Sequence, residues 1–346
     1  MKYNVLWGLG LILAAGTLQG AFALPMKFAR KWNYENIWLV FAATGLVLFP
    51  WLFYFSTIPH TWEVFRLASS RSVAGIILFG VCWGVGATLT GLGLYKLGLA
   101  LGFSIILGLS ASFGSLVPLL VHSPGDLLSP RGITYLLGTG LMLLGIGSGA
   151  VAGSLREKSL GQGAEEPRNA AARGSFLAGF LICALSGIFS STLNFSFAFG
   201  TEVIEKARNL GASPVWAANA VWAPATTGGF LANLLYCAYL FARNKSFSRF
   251  LLPGTRIYWL FGLGMGLSWF SGLSLYGMGV YRLGDFGVII GWPLFMGTII
   301  LTSNTLGLAT GEWTHSHPKA KRYLFLGILI ILAALIVLSL AQRLAR

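Results

Sequence analysis

The chain is short of charge. Only 10% of its 346 residues are Asp, Glu, Lys or Arg, and the acids number 10 against 24 bases. A soluble domain carries roughly 25% charged residues, so this chain cannot clothe itself in a water-facing surface. No acidic residue falls in the middle of an apolar run, which removes the mid-membrane carboxylates that usually mark proton routes. The three cysteines, Cys82, Cys183 and Cys237, all lie inside apolar segments, which excludes a disulfide framework and a thiolate metal site. No Gly-rich loop ends in Lys-Ser or Lys-Thr, so ATP is not the energy source. HExxH, paired acids for Mg²⁺-diphosphate and a His/Cys cluster are missing too, and His60, His122, His315 and His317 fall in loops. A membrane-embedded hydrolase or transferase needs buried acids, bases or a metal. None is offered, so neither an enzyme nor a cofactor or metal is expected.

What is present is apolar. Hydrophobic residues make up 55% of the chain and mean hydropathy is +0.74, which makes this an all-α integral membrane protein of the bilayer. Its 46 glycines suit helices that approach closely with no hydrophobic force between them. The net charge of +14 does not point to nucleic acid, because the bases sit at helix ends and in short loops rather than on one face.

Apolar runs near twenty residues mark bilayer-crossing helices. They predict ten: 4–24, 36–57, 73–94, 99–121, 132–152, 174–200, 215–241, 256–280, 285–310 and 322–341. The first resembles a secretory signal, with Lys2 before an apolar run ending Ala21-Phe22-Ala23. However, Lys27, Arg30 and Lys31 follow at once and resist translocation, so it is kept as helix 1. Counting Lys and Arg puts nine on the side of the termini and fifteen on the other. The positive-inside bias therefore places both termini outside.

A 19-residue stretch occurs twice, 186 residues apart. Residues 80–98 read GVCWGVGATLTGLGLYKLG and residues 266–284 read GLSWFSGLSLYGMGVYRLG, with nine positions identical, among them Trp83/Trp269, Gly91/Gly277, Tyr95/Tyr281 and Gly98/Gly284. The most polar stretch, 153–173, holds Arg156, Glu157, Lys158, Glu165, Glu166 and Arg168. It serves as a cytoplasmic linker between a first repeat, 1–152, and a second, 174–346. Five crossings per half turn the second half upside down, so the repeats are inverted, the architecture of alternating access about a site between halves.

Polar side chains inside spans locate the candidate substrate site. Ser186, Ser190 and Asn194 form one stripe on helix 6. Helix 3 carries Cys82, Thr88 and Thr90 beside Trp83, and helix 8 carries Ser268, Ser271 and Ser274 beside Trp269 and Tyr276. Helix 9 carries Thr298, Thr302, Ser303, Asn304 and Thr305 beyond Trp292, and helix 1 contributes Thr17 and Gln19. Ser and Thr also bond to their own helix carbonyls. A carboxamide has four hydrogen-bonding sites and is costly to leave unmatched in lipid, so Gln19, Asn194 and Asn304 are stronger candidates. Trp83 and Trp269 lie mid-span at equivalent repeat positions, whereas Trp292 also fits an interfacial anchor. Aromatic faces with carboxamides suit a neutral sugar. Asp285, at the amino end of helix 9, either stabilises that helix beside Arg282 or carries a proton. Apolar helix 10, expected to face lipid or a second copy, would permit a homodimer, as would the Gly138/Gly145 and Gly140/Gly147 spacings of helix 5.

Several short motifs bear a family stamp. They are Pro25-Met26-Lys27, then Lys31-Trp32 with Glu35 and Trp38 opening helix 2, and Trp83-Gly84-Val85-Gly86. Leu97-Gly98 with Gly102, Gly187-Ile188-Phe189-Ser190 and Glu312-Trp313 complete the set. In order and spacing the chain resembles the bacterial L-rhamnose–proton symporter family of the drug/metabolite transporter superfamily, from about residue 7 to 313. The resemblance implies ten helices in two inverted five-helix halves and uptake of L-rhamnose with a proton across the cytoplasmic (inner) membrane. A 6-deoxy sugar calls for an apolar pocket for its methyl and donors and acceptors for its hydroxyls. Within the same fold the chain could instead export or exchange another small polar metabolite. A sensor that binds sugar without moving it is a further alternative.

Overall fold

The computed structural model describes residues 4–97, 99–159 and 170–344. Lys2, Gly98, Arg346 and the middle of the polar linker, with Glu165, Glu166 and Arg168, lie outside the described residues. The described chain is helical, with no strand among its described residues. In order the helices are α1 (Val5–Ala21), α2 (Tyr34–Ala43), α3 (Phe49–Thr57), α4 (Thr61–Leu67), α5 (Ser70–Leu97), α6 (Leu99–His122) and α7 (Pro130–Ser159). They continue with α8 (Ala170–Ala198), α9 (Thr201–Asn209), α10 (Asn219–Asn244), α11 (Arg256–Leu283), α12 (Gly287–Ala309) and α13 (Pro318–Arg343).

Nine segments among the described residues are long and apolar enough to cross a membrane, and they fall on nine of the ten expected spans. The remaining one, 256–280, is part of α11, a 28-residue helix whose Gly, Ser, Trp and Tyr hold its hydropathy below that of the others. Short α4 and α9 lie in connections where no helix was expected. In α9 the apolar Val203, Ile204 and Ala207 are buried, while the Glu202 carboxylate accepts from Ser69 N at 2.7 Å and Ser69 Oγ at 2.6 Å at the start of α5.

By packing, the chain forms two compact units, each assembled from two stretches: Met1–Val85 with Thr192–Asp285, and Gly86–Ser191 with Phe286–Arg346. These are not the two halves of the chain. A repeat records order along the sequence, whereas a compact unit records which helices bury one another's faces.

In the first unit α1 lies along α11 through small residues: a Cβ on Gly279 would meet Gly8 O at 3.0 Å and Ile12 Cγ1 at 2.6 Å. A capping box opens α2, where Asn33 N donates to Asn36 Oδ1 at 3.2 Å. Between α2 and α3 the chain makes one π turn, Thr44–Leu48, and the Phe49 N–H reaches back to Thr44 O. Pro50, which has no N–H to continue the ladder, follows at once. There α11 crosses at Gly266, where a Cβ would stand 2.2 Å from Thr44 Oγ1. The end of α11 is set by Gly284 at φ 77°, a left-handed conformation that favours glycine. Its repeat counterpart is Gly98.

In the second unit α13 docks on α7, where a Cβ on Gly138 would meet Leu338 Cγ at 2.7 Å and one on Gly145 would meet Ile331 Cγ1 at 2.6 Å. The Gly138/Gly145 spacing is therefore occupied within the chain, while Gly140 and Gly147 face open space. The expectation for helix 10 holds for one side only: Leu329, Ile336 and Leu340 are exposed, whereas Ile331 and Leu338 are buried. Pro318 opens α13, and the His317 side chain caps it by accepting from Lys319 N at 3.1 Å.

Candidate functional site

The first unit brings five of the expected substrate residues into two clusters. In one, Trp83 and Trp269 stand ring against ring, centroids 5.4 Å apart at 34°. Gly229 makes room for Trp83, since a Cβ there would lie 2.5 Å from the indole. Trp269 is also met edge-on by Phe41 at 6.2 Å. Gln19, 7% exposed, donates Nε2 to Trp269 O at 3.0 Å, which leaves its carbonyl end as a further acceptor.

The second cluster is deeper. Tyr276 and Asn194 are fully buried, and the phenol donates to Asn194 Oδ1 at 2.7 Å. Phe197 stacks on Trp222 at 5.0 Å and 14°, and Tyr276 lies 6.0 Å from Phe197 and 6.2 Å from Trp222. Trp222 Nε1 is buried with no hydrogen-bond partner among the described residues, a donor that an arriving hydroxyl would satisfy.

The second unit holds the other four. Trp292 is 1% exposed, donates to Ser110 O at 2.9 Å and presses on Gly114, where a Cβ would fall 2.2 Å from Nε1. It joins α12 to α6 rather than anchoring at an interface. Thr88 and Ser190 are half-buried, and α5 and α8 cross tightly at Gly86, where a Cβ would come within 2.9 Å of Ser190 N. Nearby, Ser186 donates to Gly86 O at 2.8 Å and its hydroxyl lies 2.9 Å from that of Thr90. Half-buried Asn304 lines a cavity of about 430 Å³ with Ser303, Phe103, Leu107, Ile300 and Arg156. Several expected hydroxyls bond within their own helices: Thr17 to Leu13 O, Thr298 to Leu294 O and Thr305 to Leu301 O.

Asp285 is exposed, two residues before α12, with Phe286 in the capping position. It is not the cap of that helix.

Two carboxamides escaped the sequence reading, and Glu35 entered it only as a motif residue. Asn219 accepts from Ser274 Oγ at 3.0 Å and donates to Thr57 Oγ1 at 3.0 Å. Asn233 accepts from Trp38 Nε1 at 2.9 Å. The carboxamide argument applied to Asn194 would have found both. Glu35, 2% exposed, accepts through Oε1 from Asn33 Nδ2 at 3.2 Å, from Asn244 Nδ2 at 2.9 Å and from Ser246 Oγ.

Long apolar helices enclosing indoles, a phenol and carboxamides define a multi-pass helical membrane protein with a polar interior. Residues 1–342 match the family described as L-rhamnose-proton symport protein, and the chain belongs to that family. It is 28% identical over 342 residues to the L-rhamnose-proton symporter of Escherichia coli, across 96% of this chain and 97% of the relative. The similarly named proteins of Yersinia pestis and Shigella dysenteriae are 27% and 28% identical, with the same coverage.

Proposed function

We propose that this chain imports L-rhamnose, or a related deoxysugar, together with a proton across the cytoplasmic membrane by alternating access. The observation that carries this reading is the match to the symport family over residues 1–342. The clusters of the first unit support it. Paired indoles offer flat faces to sugar C–H groups, Gln19 and Asn194 offer hydrogen bonds, and Trp222 Nε1 is a buried donor awaiting an acceptor. The substrate-contacting set is Gln19, Trp83, Thr88, Ser190, Asn194, Trp269, Tyr276, Trp292 and Asn304.

In this reading α11 is the tenth crossing, since its length exceeds the roughly 20 residues a bilayer requires, and the two five-helix halves are inverted about it and its repeat partner α5. Both termini lie outside and the linker lies in the cytoplasm. The protein works by binding and moving solute rather than by catalysis. A homodimer would use the open Gly140/Gly147 face of α7.

One proton descending about 100 mV supplies about 2.3 kcal/mol, enough for roughly 50-fold accumulation. The test is uptake of labelled L-rhamnose into proteoliposomes with an imposed proton gradient, with and without a protonophore. Accumulation abolished by the protonophore is expected. No uptake and no counterflow at any pH removes the sugar assignment.

A further inference from the structure

Glu35 is the one buried acid among the described residues; Glu63, Glu205, Asp285 and Glu312 are exposed, and Asp126, Glu157 and Glu202 are partly so. A carboxylate out of water is costly unless paired or hydrogen-bonded, and the partners of Glu35 are three neutral donors converging on Oε1. A glutamine in its place would offer those donors a carbonyl oxygen without burying charge. What the carboxylate alone adds is the ability to bind and release a proton.

Holding the joint together does not require it. The turn before α2 is already fixed to the segment after α10: Lys31 Nζ donates to Pro253 O at 3.0 Å, Arg249 to Lys31 O at 3.0 Å and Asn36 Nδ2 to Ser246 O at 3.1 Å. Trp32 packs edge-on against Phe250, Tyr258 and Trp259 with centroids 5.1–5.5 Å away.

We propose that Glu35 carries the coupled proton, an inference that rests on the symport reading above. The proton adds to the carboxylate to give the neutral acid and leaves to water on the side of Lys27, Arg30 and Lys31; no other bond is made or broken. A neutral carboxyl accepts hydrogen bonds more weakly than a carboxylate. Proton uptake therefore weakens the contacts of α2 with Asn244 and Ser246, and re-forming those contacts expels the proton. The charged or titratable side chains on the surrounding elements are Lys27, Arg30, Lys31 and Tyr34 before and at the start of α2 and Tyr236, Cys237, Tyr239 and Arg243 of α10. Beyond these lie Lys245 and Arg249 after α10, and Arg256 and Tyr258 at the start of α11. Of these, Cys237 lies within electrostatic reach of the carboxylate.

The experiment compares Glu35→Gln, Asp285→Asn and wild type, all full-length, in proteoliposomes. With Glu35→Gln, gradient-driven L-rhamnose accumulation falls from roughly 50-fold toward unity while counterflow at equal pH continues, and Asp285→Asn keeps its accumulation. Acid-stimulated accumulation surviving in Glu35→Gln overturns the proposal, as does equal loss of counterflow and accumulation. Wild type without counterflow overturns instead the sugar reading on which it rests. Asn244→Ala and Ser246→Ala retain the carboxyl and remove donors to its charged form. They shift the pH midpoint of uptake upward, and an unmoved midpoint overturns the proposal even where Glu35→Gln fails to fold.

Discussion

Trp83 and Trp269 occupy the same position in two copies of a repeated stretch, and their rings meet 5.4 Å apart. Residues 186 apart in sequence thus close one aromatic surface inside a single compact unit. Offset or tilted ring pairs contribute about 0.5–1.5 kcal/mol beyond area burial. Trp269→Ala is therefore expected to raise the KM for L-rhamnose roughly tenfold, an energy of about 1.4 kcal/mol. Trp269→Phe should raise it less, because an aromatic face is kept. Initial uptake rates normalised to membrane abundance check this. An alanine variant whose loss is only in abundance would make the pair a packing element.

The Tyr276–Asn194 bond is buried at both ends. Removing one partner of a buried hydrogen bond costs about 1–3 kcal/mol, so Asn194→Ala should lower the thermal unfolding midpoint in detergent. Uptake should fall further than the folded fraction does if the carboxamide also serves sugar. Proportional losses would assign Asn194 to stability alone.

The crossing at Gly266 admits no side chain. Gly266→Ala puts a methyl 2.2 Å from Thr44 Oγ1 and 2.7 Å from Gly45 N, and overpacking of this kind costs about 1–3 kcal/mol. A reduced monodisperse fraction on size exclusion is expected. Gly264→Ala on the same helix, which meets nothing within 4 Å, serves as the comparison and should behave as wild type.

The proposed inversion of the two halves implies that the turn after α5 and the turn after α11 lie on opposite faces. Lys96→Cys should be labelled only from the cytoplasm and Arg282→Cys only from outside. Native Cys183 and Cys237 are buried and Cys82 partly so, which keeps background labelling low. Both positions reacting from one side would end the antiparallel assignment.

Nine spans were legible because Leu, Ile, Val and Phe dominate them, and hydropathy reads composition directly. The span within α11 was also expected from its apolar run, although its Trp, Tyr, Gly and Ser register weakly as apolar. The Trp83/Trp269 pairing could be anticipated from equivalence, but its contact could not. Glu35 sits in the first turn of α2, where a carboxylate ordinarily reads as a helix start facing water. Its burial is created by Asn244 and Ser246, more than 200 residues away. The carboxamides of α10, Asn219 and Asn233, gain their roles from Thr57, Ser274 and Trp38 on other helices, which hydropathy does not reveal. Helices α4 and α9 were missed because each is shorter than the window over which an apolar face becomes visible.

The interleaving of the two compact units has a consequence for biogenesis. Residues up to Val85 complete their unit with Thr192–Asp285, and Gly86–Ser191 completes its own with Phe286 and beyond. Neither unit can be finished while the ribosome is still working on the first half of the message. A stop codon near the middle of the message would therefore strand both units unfinished instead of leaving one whole.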